Sequence, residues 1–573
     1  MRARAVNLLV FREDRRCASG SELKLALMRD LEKLRRVETP RDARHLDRLI
    51  GALLRAGELE CAVADAADGS SPSLSVEPCM RITDRLAEAL VARESAVDCA
   101  ELRKILDASR VPAQVEIAPA EGFAYYALHP LAFAEVLDNI SPRPASAAVI
   151  GIRTIGTTLS AVTAAAARDR GVKAERITVR PVGHPYDRRT QFSPVQREFV
   201  QRHLACGAGF LIVDEGPGLS GSSFLSVAEA LVAAGVLSER IILLCGREPD
   251  FDLLCADNGP QRARRFRWIA VSSSPRKPAA AESFVGGGEW RKSLFRVPGE
   301  WPASWISFER LKYLSSADSA PERLFKFAGL GHYGEQVRER EERVAGARFG
   351  VGPRKEENGF VSYPWMKMKT KTKTKMKTDG RPMSAEDLCP RVLARLAAYC
   401  AFRAESFARE PSGLSALGQM AEHNLYELGF ERPVRLTLER PVLADGRMQP
   451  HEWLLMAQGE MLKTDSGSHG DDHFFPGITD IAWDLAGAIV EWKMSAGHTE
   501  AFLEAYLRAS GDDAACRIDD FIAAYAVFRC AYCRMAGNAL AGAEEQARLE
   551  RAANEYRIFL SHRSQHVPLG QAS

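Results

Sequence analysis

Two carboxylates stand side by side at the end of an apolar run. Leu211, Ile212 and Val213 lead into Asp214 and Glu215, and a Gly/Pro turn at 216–219 carries the chain to Ser220, Gly221, Ser222 and Ser223. An apolar run that stops at paired acids reads as a buried strand with its carboxyl end at a sheet edge, where open α/β sheets bind ligands. Small residues before a helix let backbone amides approach an anion closely, and serine hydroxyls add donors. The chemistry suited to this pattern is recognition of an anion at the turn, with two carboxylates beside it at the sheet edge.

Two further groups carry chemistry. Lys326 lies inside the apolar segment 324–328, followed by Gly329, Gly331, Gly334 and a charged stretch at 335–343 that holds Glu339 and Glu342. A strand lysine ahead of an acidic helix is the arrangement in which lysine meets nucleotide phosphates and pairs with a helix glutamate. Further on come Asp445, Pro450, His451, Glu452, the run to Asp465, and the segment Trp483, Asp484, Leu485, Ala486. His469, Asp471, Asp472 and His473 form a compact acid/histidine cluster whose spacing fits no standard zinc site.

These residues need elements to hold them. Helical periodicity over residues 1–110, in Leu46, Ile50, Leu53 and Leu54 and again in Leu86, Leu90 and Val91, predicts a mostly helical start with a loop at 66–78. From 111 to 275 strands and helices alternate. Strands are expected at 115–117, 147–152, 176–180, 209–214 and 241–245, the last closing the set. Helices are expected at 159–170, 195–203 and 224–234. That alternation predicts a parallel sheet covered on both faces. The Ser/Pro and Gly-rich stretch 276–300 reads as a linker, with 301–365 as a small lobe. The lysine-alternating stretch 366–384 reads as solvated low complexity, 385–560 as a helical lobe with a strand-rich island at 434–465, and 561–573 as a tail.

With these elements in place, 115–270 resembles the type I phosphoribosyltransferases. Asp214 and Glu215 match that family's acid pair, and Ser220-Gly221-Ser222-Ser223 its 5-phosphate loop. The turn between them is one residue longer than usual. Upstream, Arg153, Thr154, Gly156 and Thr157 fall where the family binds pyrophosphate. Arg180, His184, Arg188 and Arg189 fall in its hood. The resemblance implies an α/β transferase that uses phosphoribosyl pyrophosphate with Mg2+, and Asp214 and Glu215 in the catalytic role.

The stretch 300–540 resembles the aminoglycoside-phosphotransferase and choline-kinase type of domain. That implies ATP as substrate, Lys326 and Glu339 at the nucleotide, and Asp465 as a metal ligand. Counted back from Pro450, Arg447 stands at the catalytic Asp position and Glu452 at the metal-binding Asn position. Asp445, two residues early, serves as the catalytic acid only in a remodelled loop, with Glu452 or His451 replacing the Asn. The composite expectation is a parallel-sheet domain plus a kinase-like α+β domain. Its function would be phosphoribosyl transfer to a small acceptor, fused to a small-molecule phosphotransferase; the alternative is a non-catalytic nucleotide or phosphoribosyl sensor.

Composition narrows the partners. Lys+Arg total 77 against Asp+Glu 75, a net of +2, which gives no global reason to expect nucleic acid. The apolar run at 7–11 is too short for a secretory core, and no uncharged stretch approaches the roughly 20 apolar residues of a membrane helix. A cytoplasmic protein with reduced thiols is expected, Cys530 and Cys533 included. Relatives of phosphoribosyltransferase type often pair, so a homodimer is a further expectation.

Overall fold

The computed structural model describes residues 8–10, 15–35, 43–69, 73–93, 97–271, 275–315, 322–366, 380–411, 414–469, 474, 477–539 and 542–564. The lysine-alternating run, and Asp471, Asp472 and His473, lie outside them. The chain is mixed α/β.

Four helices open it: Gly20–Arg35, Ala43–Asp68, Glu77–Ala92 and Cys99–Ala108. The expected loop at 66–78 is shorter, because the second helix runs on to Asp68 and the third starts at Glu77 with Pro78 in its first turn. Proline tolerates that position, where its missing N–H costs nothing.

Five parallel strands follow, in the spatial order Lys173–Val179, Ser146–Ile152, Gly209–Val213, Ile241–Cys245 and Arg267–Ala270. Alternate residues of Ser146–Ile152 go to opposite cores. Ala147 and Val149 join the N-terminal helices, while Ala148 and Ile150 pack under the other face with Phe210 and Ile212. Burial on both sides is why these strands read as unbroken apolar runs. Ile241–Cys245 is not the last strand, since Arg267–Ala270 lies beyond it at the sheet edge with half-exposed side chains. Gln114–Ile117 is a strand as expected, but it pairs antiparallel with Arg16–Ser19, outside the parallel sheet. Arg176, from the first strand in spatial order, forms a bidentate pair with Glu60 at 2.7 and 2.8 Å, both side chains 1% exposed. It ties the helical start to the sheet.

A second, antiparallel sheet orders Ser283–Phe284, Lys312–Leu314, Arg323–Phe327, Phe360–Pro364 and Arg354–Lys355. The segment 276–300 is therefore not a linker. It supplies the first of these strands, and Arg291 is buried in a bidentate pair with Glu545 at 3.0 and 2.9 Å. Its glycines serve a tight turn, Gly287 and Gly288 having φ of 60° and 81°. The helix His332–Gly346 follows the strand that carries Lys326.

The remaining lobe packs the helices Pro390–Ser406, Ser415–Glu427, Ala482–Glu491, Ala496–Ser510, Ile518–Ala539 and Ala543–Ser564 around a separate core. Small strands at Pro441–Leu443, Trp453–Met456 and Met461–Lys463 fall in the expected island. Residues 8–10 also dock here. Leu9 exchanges two hydrogen bonds with the Asn424 side chain, at 2.7 and 2.8 Å. Cys530 and Cys533 are buried and unbridged on one helix. No helix among the described residues is long and apolar enough to cross a membrane.

Candidate functional site

A cavity of about 200 Å³ lies between the antiparallel sheet and the helical lobe, with Trp290, Trp305, Lys326, Arg447, Lys463 and Asp465 in its wall. Lys326 reaches it by strand alternation. Phe325 and Phe327 point into the core, whereas Leu324 and Lys326 face the cavity. The Lys326 ammonium is 2% exposed and donates to Asp465 Oδ1 at 2.7 Å and to Ser468 Oγ at 2.8 Å. Lys312, its partner on the neighbouring strand, lies 3.5 Å from Asp465 Oδ2. Burial alone would raise the Asp465 pKa, but the two ammonium groups override it and hold the carboxyl well below the usual range. Asp465 itself has a left-handed φ of 53° just past the strand Met461–Lys463, and such backbone is found where surrounding structure over-determines it.

The helix glutamate is not the one the spacing suggested. Glu339 is exposed on His332–Gly346, whereas Glu341 is buried, lines the cavity and accepts a hydrogen bond from the Tyr363 hydroxyl. Residues two apart on a helix face different ways. Burial raises the Glu341 pKa, and the charge of Lys326 opposes that rise. Arg340 on the same helix bonds the Gly467 carbonyl at 2.8 Å and steadies the turn that carries Asp465 and Ser468.

Asp445 is also placed away from the expected role. It is 1% exposed and does not line the cavity. It accepts from the Tyr399 hydroxyl and lies 3.7 Å from Arg403. Its own amide and that of Gly446 both donate to Asp484, each at 2.8 Å. So Asp484, the acid of the expected Trp-Asp-Leu-Ala element, buttresses the loop backbone, and Asp445 is locked in that buttress. The loop residues that do face the cavity are Gln449 and Arg447, the latter 3.9 Å from Glu452.

The expected metal ligands Asp465, Glu452 and His451 do not form one set. Burial pushes the His451 pKa down to about 3, and its ring stacks on Trp290 at 6.4 Å. The residues that do converge are Asp445, Glu452 and His469, with donor atoms within 4.8 Å of one another. Lys463, fully buried, is among them. Its ammonium lies 2.8 Å from Glu452 Oε2 and 3.5 Å from Asp445 Oδ1, and donates to the Thr464 carbonyl at 2.7 Å. Magnesium favours near-octahedral oxygen donors, several of them waters. Here one donor is an imidazole nitrogen and an ammonium already lies against both carboxylates, so the group does not fit a resident magnesium ion. Sequence reasoning gave no role to Lys463, Glu341 or Ser468. The available signal was the two-residue spacing of Lys463 and Asp465, which places both on the cavity side of one strand and its extension.

At the parallel sheet, Asp214 follows Gly209–Val213 and shares its surroundings with Glu215. Asp214 Oδ1 accepts from the Glu215 amide at 2.9 Å, and Glu215 Oε2 accepts from the Gly122 amide at 2.7 Å. Burial pushes the Asp214 pKa up to about 7; burial and then the nearby Glu121 push Glu215 up to about 8. The serine turn is not open to solvent as expected. Ser220, Gly221 and Ser222 are buried, and the hydroxyls of Ser220 and Ser222 both donate to the Pro185 carbonyl, at 2.8 and 2.6 Å. That carbonyl sits at the tip of the hairpin Val182–His184/Asp187–Arg189, the expected hood, and takes the hydroxyls that the resemblance assigns to a phosphate. Ser223 is half-buried at the helix start.

Upstream, Arg153 is buried against acids rather than presented to an anion. It bonds Asp65 at 3.1 Å, Asp68 at 2.7 Å and Thr178 at 2.9 Å. Arg180 also pairs with Asp65 and reaches the Arg153 carbonyl at 3.0 Å. The helix Ala43–Asp68 thus supplies carboxylates where pyrophosphate was expected. Gly156 and Thr157 open the helix Gly156–Asp169 just after Thr154, and a Cβ on Gly156 would lie 2.6 Å from the Val213 carbonyl. Glycine is required there for close packing of helix on strand.

No family model matches the chain, and no curated protein does. Among solved structures it is similar to a choline kinase from Streptococcus pneumoniae, at 13% identity over 43% of this chain and 89% of that one, with a TM-score of 0.25. An ethanolamine kinase from Plasmodium vivax gives 12% identity, 43% and 79% coverage, and a TM-score of 0.28. A macrolide 2'-phosphotransferase from Brachybacterium faecium gives 15%, 46%, 96% and 0.28. Likeness at this level adds nothing to what the cavity's own residues support.

Proposed function

We propose that the kinase-like half binds a nucleoside triphosphate such as ATP, or a related phosphorylated small molecule, in the cavity between its lobes. The observation that carries this reading is Lys326, a buried ammonium aimed into a cavity and held by Asp465 and Ser468. An incoming phosphate would replace Asp465 as its partner, with Lys312 and Arg447 adding charge. The rings of Trp290, Trp305, Trp365 and Tyr532 offer stacking surfaces to an aromatic base. Calorimetry with ATP tests it. Binding is expected, with Lys326→Ala losing about tenfold or more in affinity. No ATP, ADP or AMP binding to the intact chain would end the reading.

Asp445 locked behind the loop and Arg447 on the cavity side favour binding over phosphoryl transfer, since the loop expected to present a proton-accepting carboxylate presents an arginine instead. The transferase reading draws on the Lys326, Asp465 and Glu341 arrangement. ATP consumption in the presence of candidate acceptors, abolished by Lys326→Ala and by Asp465→Ala, would establish it.

For the first half we propose a sugar-phosphate site at Asp214 and Glu215, with phosphoribosyl pyrophosphate as the ligand to try. The paired acids at the sheet's carboxyl edge support it. The bonds of Ser220 and Ser222 to Pro185, and of Arg153 to Asp65, require the hairpin and the helix Ala43–Asp68 to yield first. Phosphoribosyl pyrophosphate with magnesium should raise the melting temperature, and Asp214→Ala should remove the effect. Pyrophosphate release with a base or amine would establish transfer.

A further inference from the structure

We propose that Lys463 takes the place of a divalent cation in the kinase-like cavity, so that this cavity receives its phosphorylated ligand as the metal-free anion. The inference deepens the nucleotide reading and rests on it for the ligand, though not for the exclusion of metal.

The geometry is specific. Glu452, Asp445 and His469 converge closely enough to hold an ion, and the space they enclose faces an ammonium. The Lys463 ammonium donates to Glu452 Oε2 and to the Thr464 carbonyl, and Asp445 Oδ1 lies 3.5 Å away. The side chain is fully buried and cannot swing to solvent. Its anchoring is backbone-deep as well, because the Lys463 amide bonds the Phe349 carbonyl at 2.6 Å. Burial alone would lower the ammonium's pKa, but Asp445 and Glu452 more than offset this and hold it above the usual lysine range. A divalent ion beside a fixed positive charge pays strong repulsion in so dry a place. Arg447 adds a second positive charge, 3.9 Å from the same Glu452. The other cavity acid, Asp465, is shared between Lys326 and Lys312. Each acid that would ordinarily hold a metal-bound phosphate thus already has a protein cation, and those cations line the cavity. Lys463 thus neutralises Glu452 and Asp445, and Lys326, Lys312 and Arg447 are left to meet phosphate oxygens without a bridging ion.

Two arms test this. In the first, Mn2+ alone is titrated against the intact protein and bound ion is read by electron paramagnetic resonance. The wild type should bind no Mn2+ at this group, and Lys463→Met should gain a site that Glu452→Gln removes again. A wild-type site lost in Glu452→Gln overturns the proposal. In the second arm, ATP affinity is compared in EDTA and in magnesium. The two should agree within about threefold for the wild type. A loss of about thirtyfold or more in EDTA overturns the proposal. Lys463→Arg, which keeps the charge, should retain binding in EDTA, and its failure to do so while folded counts against the proposal. Absence of nucleotide binding under both conditions sinks the nucleotide reading instead, and the Mn2+ arm still decides whether Lys463 excludes metal.

Discussion

At the scale of single residues, the most informative pair is Asp214 and Glu215. Their pKa values of about 7 and about 8 lie above those of an unfolded chain, so the native state holds their protons more tightly. The stability this contributes is complete below about pH 4 and is lost as the pH rises through those values. Stability should therefore decline between about pH 4 and about pH 8 in denaturant titrations, and Asp214→Asn combined with Glu215→Gln should flatten the decline. The position of the acids was legible in the sequence, since the apolar run Gly209–Val213 ends at them and marks the strand's carboxyl end. Their raised pKa values were not, because burial sets them first and Glu121, which adds to the rise, lies 93 to 94 positions upstream in sequence. The same limit explains Glu339 and Glu341. Charge spacing places an acid on the helix, but only the packing of Tyr363 and Lys326 decides which one faces inward.

At the scale of elements, strands buried on both faces were easy to read and edge strands were not. Ser146–Ile152 and Gly209–Val213 are unbroken apolar runs, whereas Arg267–Ala270 covers one side of the sheet with half-exposed residues and has no clear pattern. Segment 276–300 misleads for a related reason. Its glycines look like a flexible connection, yet Arg291 is 4% exposed at the side chain and paired with Glu545, 254 residues away. Removing one partner of a buried pair strands the other charge, at a cost of about 3–5 kcal/mol. Glu545→Ala should lower the unfolding free energy by about that much, read by urea titration of tryptophan fluorescence. The Arg176–Glu60 pair predicts a similar loss for Glu60→Ala, moderated because Asp84 also contacts Arg176, at 2.6 Å.

At the scale of the whole molecule, the two candidate sites are joined by short steps. Arg310 donates to the Ala124 carbonyl at 3.0 Å, in the short helix Glu121–Ala124, and to the Ala328 carbonyl at 2.8 Å, just past the strand Arg323–Phe327. Gly122 in turn holds Glu215. Arg310→Ala should therefore disturb both halves, which separate ATP and phosphoribosyl pyrophosphate titrations of that variant would read. No pattern along the sequence announces such a bridge, because an isolated arginine reads as surface charge until its carbonyl partners are known.

The exchange between Leu9 and Asn424 spans 415 positions. During synthesis the start of the chain must leave the ribosome long before Asn424 exists to receive it. Leu8, Leu9 and Val10 spend that interval with an apolar edge uncovered, and Val10 reaches its 3% exposure only once the core of the last lobe has formed. The core of the last lobe therefore closes over one of the earliest described segments of the chain.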